Sequence, residues 1–195
     1  MVLDRVNATI FQCCKGPVAS AFCLLLLSCA KPPSEWQEDV ELRDGTVMVV
    51  SRKTDYVSGG GEWAHNRDLQ RPDLRHVKFA YPFASNQQVE WHSRTESSGA
   101  YPESPIILDF EDGAPIIISI GFRFNRCPEY RRYTYRNSTW QRELLPATDW
   151  GRKSNLLLDS THEYIITLAQ KERMNASGTF PKWRKVIDPS VNSCH

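Results

Sequence analysis

From Trp36 onward, apolar and polar side chains alternate along much of the chain, a period that builds strands and not helices. Between Trp36 and Arg52 the alternation breaks once, at Asp44-Gly45, a strong hairpin-turn signal because glycine supplies a positive φ at low cost. A two-residue turn there sets Leu42 opposite Val47 and Val40 opposite Val49 on one apolar face. Glu41 then faces Met48, and Asp39 faces Val50, on the other. His76–Tyr81 and Gln88–Ser93 read as two more strands. Pro105–Phe122 is the most apolar stretch. Ile106, Ile107, Leu108, Ile116, Ile117, Ile118 and Ile120 flank a second Asp-Gly turn at Asp112-Gly113, so the pattern predicts strands buried on both faces. A third hairpin is predicted over Tyr133–Leu145, turning at Asn137-Ser138, with Tyr135 across from Trp140.

Helical spacing is confined to Ser160–Met174. Tyr164, Ile165, Leu168 and Ala169 make an apolar stripe, and Ser160 with Glu163 forms a capping-box pattern. Trp183, Val186 and Ile187 suit a last strand. The long segments around Gly59-Gly60-Gly61 and from Ser93 to Ser104 read as loops. The fold class expected is mainly β (α+β): one antiparallel sandwich or open barrel, spanning residues 35–195, with one helix in the C-terminal half.

The chain before Trp36 follows a different rule. Arg5 and Lys15 precede an apolar run from Pro17 to Ser28, and Leu26-Leu27-Ser28-Cys29 closes it. The run is shorter than the roughly 20 apolar residues a spanning helix needs. These residues resemble the signal of bacterial lipoproteins, and the resemblance implies removal of residues 1–28 as a signal peptide. Cys29 would then carry diacylglycerol on its sulfur and an acyl chain, such as palmitate, on its amino group. Several chains are needed, because one gives only marginal membrane binding at about 0.8 kcal/mol per buried methylene. Residues 29–34, with Lys31-Pro32-Pro33-Ser34, form a stiff tether of at most roughly 18 Å.

Charge narrows the partners. The chain holds 24 Lys and Arg against 23 Asp and Glu, a formal net charge of +1. Losing residues 1–28 removes Arg5, Lys15 and Asp4 and leaves the charges balanced. With no basic block, nucleic acid is not an expected partner. Of 6 cysteines, Cys127 and Cys194 alone follow the lipid site. An oxidising periplasm would allow them to pair, closing a loop of about 68 residues and contributing roughly 4 kcal/mol. The alternative is two free thiols.

Catalytic signatures are sparse. Gly59-Gly60-Gly61 lacks the lysine and helix of a phosphate loop. His162-Glu163 opens like a zinc-protease motif, but Ile166 stands where the second histidine belongs, and no metal or cofactor is expected. Glu103, Asp109, Glu111 and Asp112 cluster in sequence, as paired carboxylates do, although turn geometry also accounts for the last two. Trp63, Tyr101 and Trp150 fall in predicted loops. They form either a binding surface or small apolar cores beneath those loops.

Trp36-Gln-Glu-Asp-Val40-Glu-Leu42-Arg-Asp44-Gly45, with Gly60, Phe79, Trp91 and the tyrosine-rich third hairpin, resembles a group of small uncharacterised proteobacterial lipoproteins. That resemblance implies a lipid-anchored envelope protein held to membrane lipid through Cys29. Because Ala30 and not Asp follows the lipid site, it also implies the periplasmic face of the outer membrane. Two roles fit. One is a non-enzymatic binding or accessory protein, such as an inhibitor or immunity protein acting on an envelope protein. The other is an envelope hydrolase of lipid, glycan or peptide, which requires a cleft bringing His76 or His92 within about 3 Å of a carboxylate or serine.

Overall fold

The computed structural model describes residues 34–58, 70–82, 85–96, 101–122, 128–158, 163–177 and 185–188. All belong to the unit Pro32–His195. Cys29, Trp63, Cys127, Cys194 and Ser160 lie outside the described residues, as do the lipidation, disulfide and Ser160 capping expectations that rest on them.

Two sheets carry the fold, as the alternation predicts. β1 (Glu35–Glu41), β2 (Val47–Ser58), β3 (Gln70–Ala80) and β4 (Gln88–Arg94) form an antiparallel meander. A two-residue strand, β9 (Ile165–Ile166), joins it parallel to β1 and completes the order β4-β3-β2-β1-β9. β5 (Ser104–Glu111), β6 (Ala114–Phe122), β7 (Pro128–Arg136) and β8 (Thr139–Glu143) make the second meander, in chain order. Val40, Val50, Val77, Phe79, Val89 and Trp91 of the first sheet share one core with Leu108 and Ile117 of the second. The architecture is therefore a sandwich, with neither sheet closed into a barrel among the described residues.

The isoleucine-rich hairpin is buried on both faces as expected. Ile106, Ile107, Leu108, Ile116, Ile117 and Ile118 are all at most 1% exposed. Leu158, Val186, Tyr130, Leu145 and Trp150 pack on Ile106, Ile118 and Ile120 as a separate cluster. Segment 154–158 also seals the free edge of β5. Asn155 mimics a strand residue: its side chain accepts from Leu108 N–H and donates to Leu108 C=O, at 2.9 and 2.7 Å. At the other side, the Trp140 indole N–H donates to the Glu90 carbonyl (2.8 Å) and ties β8 to β4. Each sheet thus has an edge covered in the way that protects strands from stray pairing.

The first hairpin departs from expectation. Glu41 pairs with Val47 and Val40 with Met48, one residue out of the predicted register. The loop is the three residues Arg43-Asp44-Gly45, closed by Leu42 N–H to Thr46 C=O at 2.8 Å, with Gly45 at φ +85°. A three-residue loop ending in a left-handed glycine displaces one strand by a residue, and a one-residue slip exchanges the faces. The buried set is therefore Val40, Leu42, Met48 and Val50, while Val47 and Val49 are 46% and 57% exposed. The other two hairpins follow prediction. Phe110 opposes Pro115, Tyr135 opposes Trp140, and Asn137 and Ser138 both adopt positive φ.

The helix is also later than predicted. α1 spans Leu168–Ala176, capped by Thr167, whose side chain accepts from Gln170 N–H while Gln170 reaches back to Thr167 N–H. Ile165, expected on the helical stripe, is extended together with Ile166, which is 0% exposed against Trp36 and Leu157. Two adjacent β-branched residues suit a strand, and Thr167 offers the next capping box. Val186 is buried beside an isolated bridge, Lys153 to Lys185, where a last strand was expected.

Candidate functional site

The outer face of the first sheet holds the chemistry. Cross-strand register lines up Ile165, Gln37, Ser51, Lys78 and Glu90 in one row across all five strands. A second row runs Glu35, Lys53, His76 and His92. These rows border a shallow cleft of about 620 Å³ that reaches from Tyr164 and Ile165 at one edge to Glu90 near the other. Its size lies within the range of ordinary ligand sites.

His76 is the centre of this face. Its Nδ1 is hydrogen-bonded to the Glu90 carboxylate, and its Nε2 lies 3.4 Å from Asp55 Oδ2. That Nε2 atom is shielded from solvent and makes no hydrogen bond. The His92 ring stands 6.2 Å away, tilted by 42°. Lys53 bridges Asp55 at 3.1 Å and Glu35 at 3.9 Å, and its hydrogen bond to Asp55 holds its pKa above the usual lysine value. The row beside it is different. Lys78 and Glu90 are direct partners of opposite charge, a favourable cross-strand arrangement. Glu90 is nevertheless taken by His76, and Lys78 forms no ion pair among the described residues.

Three further ionic clusters are interior. Glu38, 0% exposed, binds Arg52 through Oε1, and through Oε2 accepts from Lys171 Nζ (2.6 Å) and Leu157 N–H (3.1 Å). Lys171 Nζ also donates to the Asp39 and Asn155 carbonyls at 2.6 and 2.7 Å, so all three of its protons are spent. Burial pushes the Lys171 pKa down, against the opposing pull of Glu38. Asp149 and Asp109 are clamped by Arg152 at 2.8 and 2.5 Å, and Arg132 adds a second bond to Asp149 at 2.8 Å. Glu103 accepts from Ser119, Arg131 and the Tyr133 hydroxyl. Burial, then the Glu103 charge, push the Tyr133 phenol up to about 12. These clusters fix the sandwich, because buried charge persists only where it is paired.

Of the acidic cluster seen in sequence, Asp109 and Glu111 are linked through Arg152, Asp149 and Arg132, while Glu103 and Asp112 stand elsewhere. Glu103 joins Arg131, Asp109 joins Arg152, Glu111 joins Arg132, and Asp112 shapes its turn at φ 50°. Tyr101 is 64% exposed. Trp150 is half-buried against the Ile106 cluster, beside Tyr130 and Leu145. Among the described residues no three His, Cys, Asp or Glu side chains are placed to hold a metal ion. The row Gln37-Ser51-Lys78-Glu90 escapes a reading of the sequence, since it exists only once the register of three pairings is known. Comparison with protein-family models, with curated proteins and with solved structures yields no match to this chain.

Proposed function

We propose that the protein is a lipid-anchored lipoprotein of the bacterial envelope, on the periplasmic face of the outer membrane, that works by binding and not by catalysis. The observation that carries the anchoring is Leu26-Leu27-Ser28-Cys29 at the end of the apolar run, where Cys29 would take the lipid. The binding role is supported by the spent chemistry of His76. A general base needs one ring nitrogen open to a hydroxyl or water. Here one nitrogen is bound by Glu90 and the other is turned from solvent toward Asp55.

One observation favours the hydrolase reading. His76, Glu90, Glu35, Lys53 and Lys78 do converge on one cleft, with a carboxylate in contact with His76, which is the arrangement that reading requires. Intact mass of protein purified from bacterial membranes tests the anchor. The expected species begins at Cys29, carries diacylglycerol and a further acyl chain, and gains two hydrogens on reduction if Cys127 and Cys194 are paired. An unlipidated chain overturns the anchor. Hydrolysis of an ester, glycan or peptide substrate that His76→Gln abolishes would overturn the binding role.

A further inference from the structure

The row Ile165-Gln37-Ser51-Lys78-Glu90 crosses the strands at right angles, and its span over four inter-strand gaps is about 19 Å. That is the length of a short oligosaccharide. Gln37, Ser51 and Lys78 are exposed neighbours in this row, and their side chains form no hydrogen bond or ion pair among the described residues. A partner lying here cannot pair with the backbone as an added strand does, because it crosses the face of interior strands whose N–H and C=O groups are committed to the ladders. Recognition must come from side chains.

Their chemistry selects the ligand. Lys78 and Gln37 are donors, Ser51 and Gln37 donate and accept, and Glu35 and Glu90 accept. A sugar hydroxyl donates once and accepts once, so closely spaced donors and acceptors suit it. Tyr164, 70% exposed, and Ile165, 63% exposed, supply an apolar wall at one end, where the C–H face of a pyranose ring can pack. Of the cations lining the cleft, Arg52 is held by Glu38 beneath it, and Lys53 and Lys78 are matched by Glu35 and Glu90, with Asp55 beside Lys53 and His76, so little cationic charge is left to hold a polyanion. We propose that this cross-strand cleft binds a neutral oligosaccharide through Gln37, Ser51, Lys78 and Tyr164. The assignment rests on the binding role and names its ligand class.

Calorimetric titration of the full chain in detergent with cellotetraose and chitotetraose tests it, alongside heparin and an extended Gly-Ser peptide. Saturable binding of at least one tetrasaccharide is expected, weakened about tenfold in Gln37→Ala/Lys78→Ala, roughly the loss of one good polar contact. Val49→Thr, on the same face outside the row, should bind as the native chain does. A urea midpoint matching the native protein shows that each variant folds. No binding of either sugar, or binding indifferent to Gln37→Ala/Lys78→Ala, overturns the proposal. Binding of heparin or the peptide at these residues, with no sugar binding, overturns the ligand class and leaves the binding role standing. Shortened sugars among the recovered ligand overturn the binding role itself.

Discussion

Glu38 is the residue whose loss the fold should tolerate least. It is fully buried, and two buried cations, Arg52 (side chain 2% exposed) and Lys171 (0%), share its carboxylate. Glu38→Gln keeps the shape and removes the charge. Both cations then lose the carboxylate they share, and one amide N–H₂ is pressed against a donor. Removing one partner of a buried pair costs about 3–5 kcal/mol. With two cations affected, the upper half of that range applies, about 4–5 kcal/mol. Lys171→Met is milder. Glu38 keeps Arg52 and Leu157 N–H, and the desolvation that depresses the Lys171 pKa is relieved. What is lost is the donor to the Asp39 and Asn155 carbonyls, and unsatisfied acceptors cost about 1–3 kcal/mol. We therefore expect about 2 kcal/mol for Lys171→Met. Urea unfolding followed by circular dichroism measures both. At an m-value of about 2 kcal/mol/M, Glu38→Gln should lower the midpoint by about 2 M and Lys171→Met by about 1 M. The reasoning fails if Glu38→Gln costs under about 1 kcal/mol, or if Lys171→Met proves the more damaging of the two.

Other expectations follow from the register and from Tyr133. Val49→Lys should change stability by less than about 0.5 kcal/mol because Val49 is 57% exposed, whereas Met48→Lys, at 6%, should abolish the cooperative thermal transition. The reverse order would restore the two-residue turn. The Tyr133 phenol, raised to about 12 from an ordinary 10, makes the folded state bind the proton more tightly than the unfolded state. Its stabilising contribution is then complete below pH 10 and is lost as the pH rises from 10 toward 12. Ultraviolet titration should show one tyrosine ionising late, absent in Tyr133→Phe, and Tyr133→Phe should flatten the fall in stability across that window. A Tyr133 phenol titrating with the exposed tyrosines would refute burial beside the Glu103 charge as its cause.

Local signals predicted most of the sandwich, and non-local ones account for what they missed. Asp112-Gly113 and Asn137-Ser138 each mark a two-residue loop, and both registers follow directly from them. Asp44-Gly45 carries the same signal but sits in a three-residue loop, and the dipeptide alone does not separate the two. The helix begins later than its stripe suggests because Thr167 and Gln170 form their own capping box, which leaves Ile165-Ile166 free to pair with β1. The partners in the interior ion clusters could not be read from the chain. Strand phase with Trp36, Val40 and Leu42 turns Glu38 inward, but Arg52, Leu157 and Lys171 meet it only when β1, β2, segment 154–158 and α1 are assembled.

The competition for Glu90 joins the scaffold to the cleft, and it makes a last prediction. Glu90 stands directly across from Lys78 yet pairs with His76, its diagonal neighbour. While that choice holds, the Lys78 ammonium stays unspent and the row keeps a free donor. His76→Leu removes the rival donor and returns Glu90 to Lys78. An exposed pair of this kind is worth about 0.2–1 kcal/mol. A double-mutant cycle with Lys78→Ala and Glu90→Ala should therefore give a coupling near zero in the native chain and about 0.5 kcal/mol in the His76→Leu background. Oligosaccharide affinity should fall in that background as well, because the new ion pair occupies the donor that the sugar would use. Equal coupling in both backgrounds would mean that His76 does not govern Lys78, and that the free donor in the row has another origin.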